Sequence, residues 1–418
     1  MSATAATRLT AKDTLAVPEF RGMIAAQVAS EAGDQVARVA LALLVLDQTG
    51  SALWAAATFA LAYLPATFGS ALLGPIADRV SRRTVMLVSD LARAVLIALL
   101  ALVAVDGTPL WILFVLLLTA ELFTPAFDAA RNATIPDVLG DPALVTAGFG
   151  LSRSLNLVNQ VVGLAIGGAV VQLLSAQWAL GLDALSYVIS FVILQVTMRH
   201  RDALLAGGTN LSRMFADLRE GAAAVVHDPA RRSLIGLAWA MGITVVAPEA
   251  VALAYAREQG ASDTAGSILM AVTIAGAAVG SVMIGSRPAL MQLDLILPMV
   301  IGCSIPLLLV GPEPAVWVTA ILFAIAGGFQ AWLVPVIAFT TLLTPPEQRG
   351  RVAGLVSAGF SLSAALSYLL VGYLADLTSP AFAVVCAGVF GLLVVCVTSV
   401  RWPAREVRQA VRGLEGYF

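Results

Sequence analysis

Twelve long apolar segments limit what this chain can fold into. A helix of about 20 apolar residues crosses the ~30 Å hydrocarbon layer of a bilayer. The segments lie at 22–46, 52–77, 85–105, 109–128, 146–174, 178–198, 233–255, 264–285, 292–310, 314–340, 351–375 and 380–400. They are continuous rather than alternating, and lipid requires each backbone group to bond within its own helix or a closed barrel. The sequence therefore predicts an all-α membrane protein with twelve transmembrane helices.

The composition agrees with a lipid-covered protein. Charged residues make up 12% of the chain and apolar residues 59%, whereas a soluble domain has about 25% charged residues. So few polar side chains cannot cover the surface of a soluble protein of 418 residues. We therefore expect the lipid bilayer to be a partner. The net charge of −2 predicts no binding of nucleic acid.

The reactive residues exclude several kinds of chemistry. The one lysine, Lys12, follows no glycine and cannot belong to a phosphate-binding loop. The three cysteines lie in apolar runs without metal-ligand spacing, and His200 and His227 lie in the longest polar stretch. A catalytic triad cannot form within the apolar segments from these residues. We predict that the protein is not an enzyme and holds no metal or cofactor.

Basic residues predict the orientation, because positive charge is retained on the cytoplasmic side. Successive loops lie on alternating sides of the membrane, and 22 of the 24 basic residues fall on one side. This count includes Arg93 and Arg153, which are expected at helix ends on that side. Arg257 faces the other side, and Arg38 remains within a helix. We expect an integral protein of the cytoplasmic membrane, monomeric, with both termini cytoplasmic.

A polar segment in the middle of the chain divides it into two sets of six spans. The predicted parts are a cytoplasmic tail at 1–21, a six-helix bundle at 22–198, a cytoplasmic linker at 199–232, a second six-helix bundle at 233–400 and a cytoplasmic tail at 401–418. Apolar residues at three- and four-residue spacing predict an amphipathic helix within the linker.

An internal repeat supports the same division. Ala147-Gly148-Phe149-Gly150-Leu151-Ser152 recurs as Ala358-Gly359-Phe360-Ser361-Leu362-Ser363, offset by 211 residues. Pro136-Asp137 matches Pro346-Glu347 with an offset of 210. Both offsets are about half the length of the chain, so we expect the two bundles to be related.

Two six-span halves joined by a basic loop resemble the major facilitator superfamily. The sharpest similarity is Gly74-Pro75-Ile76-Ala77-Asp78-Arg79-Val80-Ser81-Arg82-Arg83, which resembles the superfamily's Gly-x-x-x-Asp-Arg-x-Gly-Arg-Arg loop, with Ser81 in the second glycine position. The resemblance implies a cytoplasmic gating motif formed by Gly74, Asp78, Arg79, Arg82 and Arg83. A plain positive-inside anchor is the alternative.

Further phrases resemble the branch of enterobactin exporters and macrolide efflux proteins. They are Gly33-Asp34-Gln35, Thr49-Gly50-Ser51, Phe123-Thr124-Pro125-Ala126, Ile135-Pro136-Asp137 and Asp183-Ala184-Leu185-Ser186-Tyr187. This resemblance implies export of a small drug-like or siderophore-like molecule by proton antiport.

The fifth span departs from the antiporter pattern, because Gly163-Leu164-Ala165-Ile166-Gly167-Gly168 lacks its proline. The direction of transport therefore stays open. A proton-coupled importer and a lysophospholipid transporter are alternatives, and a non-transporting receptor or scaffold is a distant one.

Polar residues in the first span form one stripe. Gln27, Glu31, Asp34 and Arg38 are spaced four, three and four residues apart, which places them on one helix face. Each charge costs roughly 2.5–3.5 kcal/mol at a helix centre unless it is paired or hydrated. Arg38 is expected to offset Asp34, which leaves one acidic charge that can bind and release a proton. We predict proton coupling by Asp34, Glu31 and Arg38; a static packing network is the alternative.

Other polar and aromatic residues within the spans are candidates for the substrate cavity. Glu121 and Glu249 are intramembrane acids that can serve protons or a cationic substrate. Amide and aromatic candidates complete the set: Asn156, Gln160, Phe123, Trp239 and Trp332. Contacts between helices are the alternative role for each of them.

Overall fold

The structure is a computed structural model that describes residues 11–77, 80–201, 225, 228–345, 348–402 and 408–409. Most of the linker that contains the predicted amphipathic helix lies outside the described residues, as do residues 1–10 and 410–418 of the tails. We refer to the described residues within 11–201 as the N-terminal half and to those within 228–402 as the C-terminal half.

The described residues fold into sixteen α-helices and no strand. In chain order these are α1 (Ala11–Leu15), α2 (Pro18–Thr49), α3 (Ala52–Ala77), α4 (Arg82–Val103), α5 (Leu110–Glu121), α6 (Thr124–Leu139), α7 (Pro142–Leu174), α8 (Ala176–Thr197), α9 (Pro229–Ala240), α10 (Gly242–Glu258), α11 (Asp263–Gly285), α12 (Ala289–Leu308), α13 (Val316–Gln330), α14 (Leu333–Leu342), α15 (Arg349–Leu377) and α16 (Pro380–Arg401).

Ten helical stretches within the described ranges are long and apolar enough to cross a membrane. Three of them consist of two helices in succession, namely α5 with α6, α9 with α10 and α13 with α14. Ala52–Pro65 in α3 is a shorter apolar stretch, and α2 carries Glu31, Asp34 and Arg38 in its interior. Together with the apolar composition, these helices identify an integral membrane protein.

Proline explains two of the helix breaks. A proline within a helix removes one backbone hydrogen bond and clashes with the carbonyl four residues earlier. Pro125 stands four residues after Glu121, where α5 ends, and Pro335 stands four residues after Ala331, between α13 and α14. The predicted span at 109–128 ends too early, because the helix resumes at Thr124 and continues through polar residues to Leu139.

Helix contacts within and between the halves position the interior residues. In the N-terminal half, α2 packs against both α7 and α8. Gly163 and Gly167 of α7 lie directly against Gln35 and Val39 of α2, where a Cβ atom would collide with those side chains. The halves meet where α3 packs along α15 and α7 packs along α11.

The repeated segments make matching contacts. Ser152 in α7 donates a hydrogen bond to Gln27 Oε1 of α2 at 2.7 Å. Ser363, its counterpart in the repeat, lies in α15 and donates to the backbone oxygen of Trp239 in α9 at 2.6 Å. Each serine therefore ties its helix to an early helix of its own half, α2 for Ser152 and α9 for Ser363.

The two ends of the molecule differ in charge. The arginine-rich end carries Arg82, Arg83, Arg201, Arg287 and Arg349. We call the other end of the molecule the opposite end. The turns at 50–51, 104–109, 259–262, 309–315 and 378–379 lie there, and they contain no arginine or lysine.

Candidate functional site

Asp34 of α2 lies at the centre of a group of buried polar side chains. Arg93 Nη2 of α4 donates to both carboxylate oxygens of Asp34, at 3.1 Å each. The Tyr187 hydroxyl of α8 donates to Asp34 Oδ1. The Arg93 guanidinium also lies 4.1 Å from the centroid of the Tyr187 ring, a cation–π contact. Asp34 is thus held by two helices other than its own.

Arg38 is directed toward the break between α5 and α6. Its Nη2 donates to Glu121 Oε1 at 3.1 Å, and Thr124 donates to Glu121 Oε2 at 3.1 Å. The expected pairing of Arg38 with Asp34 is wrong, because each of the two charges finds its partner on a neighbouring helix. Glu121, named as a cavity candidate, is 5% exposed and belongs to this ion pair.

Asp183 of α8 makes no ion pair with an arginine among the described residues. Its side chain is 1% exposed and accepts a hydrogen bond from Ser186 at 3.2 Å, while Oδ2 has no hydrogen-bond partner in the described part of the chain. Gly33 allows this approach of α8 to α2, because a Cβ atom there would stand 2.4 Å from Asp183 Oδ1 and from Ser186 Oγ.

Ionisable side chains from four helices surround a cavity of about 20 Å³. We define the charged cluster as Asp34, Arg38, Arg93, Glu121, Asp183 and Tyr187. The cavity has room for about one water molecule. Three carboxyl groups face two guanidinium groups, so full ionisation leaves one negative charge uncompensated in a buried site. One proton makes the cluster neutral.

Several residues in and around this site are not predicted as functional from the sequence. Arg93 was placed at a helix end, which is wrong, because it lies in the interior of α4 and is 4% exposed. Asp90, one turn before Arg93, does not line the cavity and is not part of the charged cluster; it is fully buried and accepts a hydrogen bond from Ser190 at 2.6 Å. An ionisable residue within an apolar span is itself a signal of function, and this signal was present for Asp90, Arg93 and Asp183.

Glu31 has its own set of partners, nearer the arginine-rich end. It accepts hydrogen bonds from Gln27 at 3.0 Å, Arg131 at 3.2 Å and Asn159 at 3.4 Å. Arg131 also pairs with Asp128 at 3.1 Å. The predicted stripe on α2 is therefore divided between two groups, with Gln27 and Glu31 in one and Asp34 and Arg38 in the other.

Glu249 lies in the C-terminal half among aromatic rings from both halves. It follows Pro248 in α10 and accepts a hydrogen bond from the Tyr368 hydroxyl of α15 at 2.8 Å. Tyr63 and Phe59 of α3 face Tyr368, with ring centroids 5.7 and 5.8 Å away. Glu249 makes no ion pair in the described part of the chain. Glu249 is thus bonded to a tyrosine whose ring contacts two further aromatic rings, an arrangement that suits a positively charged organic group.

The remaining cavity candidates contact the protein itself. Gln160 donates to Asn156 Oδ1 at 3.1 Å, within the same helix. Trp239 donates to the backbone oxygen of Val356 at 3.2 Å, which ties α9 to α15. Trp332 is fully buried in a cluster of apolar side chains. Phe123 is partly buried at the break between α5 and α6.

The predicted gating motif is described only in part. Asp78 and Arg79 lie outside the described residues, and Gly74 belongs to α3. Arg82 donates to the Ala133 backbone oxygen at 2.6 Å and pairs with Asp137, and Arg83 donates to the Gln195 backbone oxygen at 2.7 Å.

Ser81, in the superfamily's glycine position, caps α4 by accepting a hydrogen bond from the Thr84 backbone N–H at 3.2 Å. Its φ of −57° is one that any residue adopts. A serine therefore fits this turn without strain, and its hydroxyl satisfies a backbone group that glycine would leave open.

Polar contacts join the two halves at the opposite end. Asp376, near the end of α15, accepts hydrogen bonds from the backbone N–H groups of Ala52 and Leu53 at 2.6 and 3.3 Å, and from the Ser51 hydroxyl. It therefore caps the N-terminus of α3 from across the interface. Arg257 bridges Asp47 and Asp263, at 2.6 and 2.7 Å.

Metal ligands are not grouped in the described ranges, which hold no set of three or more His, Cys, Asp or Glu side chains arranged for an ion. The buried acids described above are instead paired with arginine, serine or tyrosine.

Comparison with known proteins agrees with this architecture. A family model described as "Transmembrane secretion effector" matches residues 10–413. The multidrug efflux pump Tap of Mycolicibacterium fortuitum is 26% identical over 369 residues, which cover 84% of this chain and 88% of that protein. Macrolide efflux protein A of Streptococcus pyogenes is 26% identical over 180 residues, 43% of this chain and 44% of that protein. The crystal structure of the nucleoside transporter NupG superposes with a TM-score of 0.76 at 12% identity, over 92% of this chain and 99% of that one.

Proposed function

Because the chain belongs to the transmembrane secretion effector family of the major facilitator superfamily, we propose that it exports a small amphipathic molecule in exchange for protons. The relatives named as efflux pumps support the outward direction. The observation that carries proton coupling is the charged cluster, in which three carboxyl groups face two guanidinium groups in a buried site.

We propose that twelve helices span the membrane, in two related six-helix bundles. The ten apolar stretches then provide ten spans, and α2 and α3 provide the other two. The arginine-rich end faces the cytoplasm of the cell and lies at the inner surface of the plasma membrane, in keeping with retention of positive charge on that side. Both termini are then cytoplasmic, and the protein acts as a monomer.

The proposed coupling step is an exchange of partners by Arg93. With Arg93 on Asp34, the proton resides on Asp183, which is buried and makes no ion pair within the described part of the chain. When Arg93 moves toward Asp183, Asp183 releases its proton to one side of the membrane, and Asp34, which loses its compensating charge, takes up a proton from the other side. Asp34 thus remains the residue that accepts a proton from one side of the membrane, while Arg38 and Glu121 stay paired. Glu31 and Arg131 form a second ion pair on the route to the cytoplasm.

The substrate is proposed to bind between the halves, next to Glu249. Tyr63, Phe59 and Tyr368 offer aromatic faces, and the Glu249 carboxyl group offers a negative charge. An amphipathic molecule with one basic group fits this chemistry. The rings come from both α3 and α15, so movement of one half against the other opens and closes the site.

The gates lie at the two ends. Asp376 and Arg257 hold the opposite end closed, and opening that end breaks the cap on α3 and the Arg257–Asp47 pair. We propose that Gly74, Asp78, Arg79, Arg82 and Arg83 form the cytoplasmic gate when the opposite end is open.

Transport into everted membrane vesicles tests the proposed function, with ethidium and erythromycin as probes. An exporter accumulates the probe inside these vesicles only when a proton gradient is imposed. The Asp34→Asn variant should abolish this accumulation while folded protein remains in the membrane. Unimpaired uphill transport by Asp34→Asn contradicts the proposed coupling, and gradient-driven uptake by right-side-out vesicles favours the importer.

A further inference from the structure

A second cavity lies away from the charged cluster, on the flank of the C-terminal half. It is a groove of about 650 Å³ between α11 and α12, with α13 as its floor. Its lining is apolar except at one end, and exposed side chains form its rims: Val279, Met283, Met291, Ile325 and Phe329. The groove therefore opens sideways toward the bilayer rather than toward the interface between the halves.

Arg287 lines the end of the groove that is nearest the arginine-rich end. Its side chain is exposed, and its guanidinium makes no hydrogen bond or ion pair with the described residues. Other arginines at this end are engaged, as Arg82 is with Asp137 and Arg408 is with Asp294. The groove thus ends at a free positive charge that can form paired hydrogen bonds with a phosphate group.

The groove is long enough to span the hydrocarbon of one leaflet and reach its headgroups. From Val272 to Arg287 the lining follows α11 toward the arginine-rich end, a rise of about 22 Å at 1.5 Å per residue. One leaflet contributes about 15 Å of hydrocarbon, half of the ~30 Å core. The apolar part therefore spans the acyl-chain depth of the leaflet at that end, and Arg287 lies at the headgroup level.

We propose that this groove binds one anionic phospholipid from the leaflet at the arginine-rich end. The acyl chains lie between α11 and α12 against α13, and the phosphate binds Arg287. An open, apolar groove that spans one leaflet suits a hydrocarbon chain. The positive charge of Arg287 at its end selects an anionic headgroup over a zwitterionic one. The site is separate from the charged cluster and from Glu249.

Native mass spectrometry of the purified protein tests the site, with phosphatidylglycerol and phosphatidylcholine of identical acyl chains as probes. We expect one phosphatidylglycerol molecule to be retained, with a Kd at least about tenfold lower than that of phosphatidylcholine, or about 1.4 kcal/mol. Arg287→Gln should abolish this preference. Arg153→Gln removes the same charge from α7, which does not line the groove, and should preserve it.

A second variant tests the apolar part of the site. Gly328 lines the groove, and a Cβ atom there would meet only the Gly276 backbone oxygen, at 3.7 Å, an ordinary van der Waals contact. Gly328→Leu should therefore weaken the retention of both lipids. Any of three results would overturn the proposal. The wild type could bind the two lipids equally, the preference could survive Arg287→Gln, or Gly328→Leu could bind both lipids unchanged.

Discussion

Arg93 of α4 binds both carboxylate oxygens of Asp34 of α2, across 59 residues of sequence. The pair is enclosed, with the arginine side chain 4% exposed and the aspartate side chain 13% exposed. Removal of one partner from a buried pair leaves an uncompensated charge, which costs far more than the pair contributes. The contact therefore makes the two residues depend on each other.

Substitution of Arg93 alone should strongly destabilise the protein. We expect Arg93→Gln to lower the free energy of unfolding by about 3–5 kcal/mol, because Asp34 is then buried without its cation. Adding Asp34→Asn should restore most of the loss, since neither charge remains. Unfolding of the purified protein in mixed micelles measures both effects. Equal stability of the single and double variants would rule out this dependence.

The close approach of α8 to α2 at Gly33 predicts that a larger residue at this position destabilises the protein. Gly33→Ala places a Cβ atom 2.4 Å from Asp183 Oδ1 and Ser186 Oγ, so we expect a loss of about 1–3 kcal/mol from overpacking. Gly181→Ala, on α8, meets no atom within 4 Å and should stabilise the helix by about 0.5–1 kcal/mol. Thermal unfolding compares the two variants, and the same shift in both would refute the explanation.

The sequence predicts the helices better than it predicts their contacts. Each of the twelve predicted apolar segments is helical in the structure. The helix ends differ from the predicted ones where polar residues continue a helix, as in α6. Helical spacing also placed Glu31, Asp34 and Arg38 on one stripe. Spacing relates residues of one helix only, so it favoured an Asp34–Arg38 pair that the structure does not contain.

Contacts between helices far apart in the chain could not be read from periodicity. Asp34 meets Tyr187 across 153 residues, and Gly33 meets Asp183. Both Asp183 and Tyr187 belong to Asp183-Ala184-Leu185-Ser186-Tyr187, a phrase that indicates the family but not this contact. The presence of Asp90, Arg93 and Asp183 inside apolar spans was a usable signal, because a charge at that depth requires a partner or a function.

Glu249 should determine the affinity for a cationic substrate. We expect Glu249→Gln to raise the Kd of ethidium about tenfold, the equivalent of about 1.4 kcal/mol, because the carboxyl group beside Tyr368 loses its charge. Glu258→Gln removes an acid from the exposed end of the same helix and should leave the Kd unchanged. Fluorescence titration of the purified protein measures both, and matching Kd values would remove Glu249 from the site.

Asp376 should bias the opening of the opposite end. Loss of a helix cap on substitution by alanine costs about 1 kcal/mol, so Asp376→Ala should reduce the ratio of closed to open molecules about fivefold at that end. Spin labels at Thr49 and Thr378, in a variant without the three native cysteines, report the distance between the halves there.

The control for Asp376 is Asp141, which caps α7 within one half through the backbone N–H groups of Ala143 and Leu144. Asp141→Ala removes a cap of the same kind and should leave the Thr49–Thr378 distance distribution unchanged. A similar broadening in both variants would show that lost stability, rather than the contact between halves, governs the opening.

Proton flux through reconstituted protein tests the charged cluster most directly. In liposomes loaded with a pH-sensitive dye, an ethidium gradient should drive counter-movement of protons by the wild type. Asp183→Asn and Asp34→Asn should each abolish that flux while ethidium still binds, because the cluster then has no carboxyl group left over to exchange a proton. Wild-type proton flux in the Asp183→Asn variant would contradict the account.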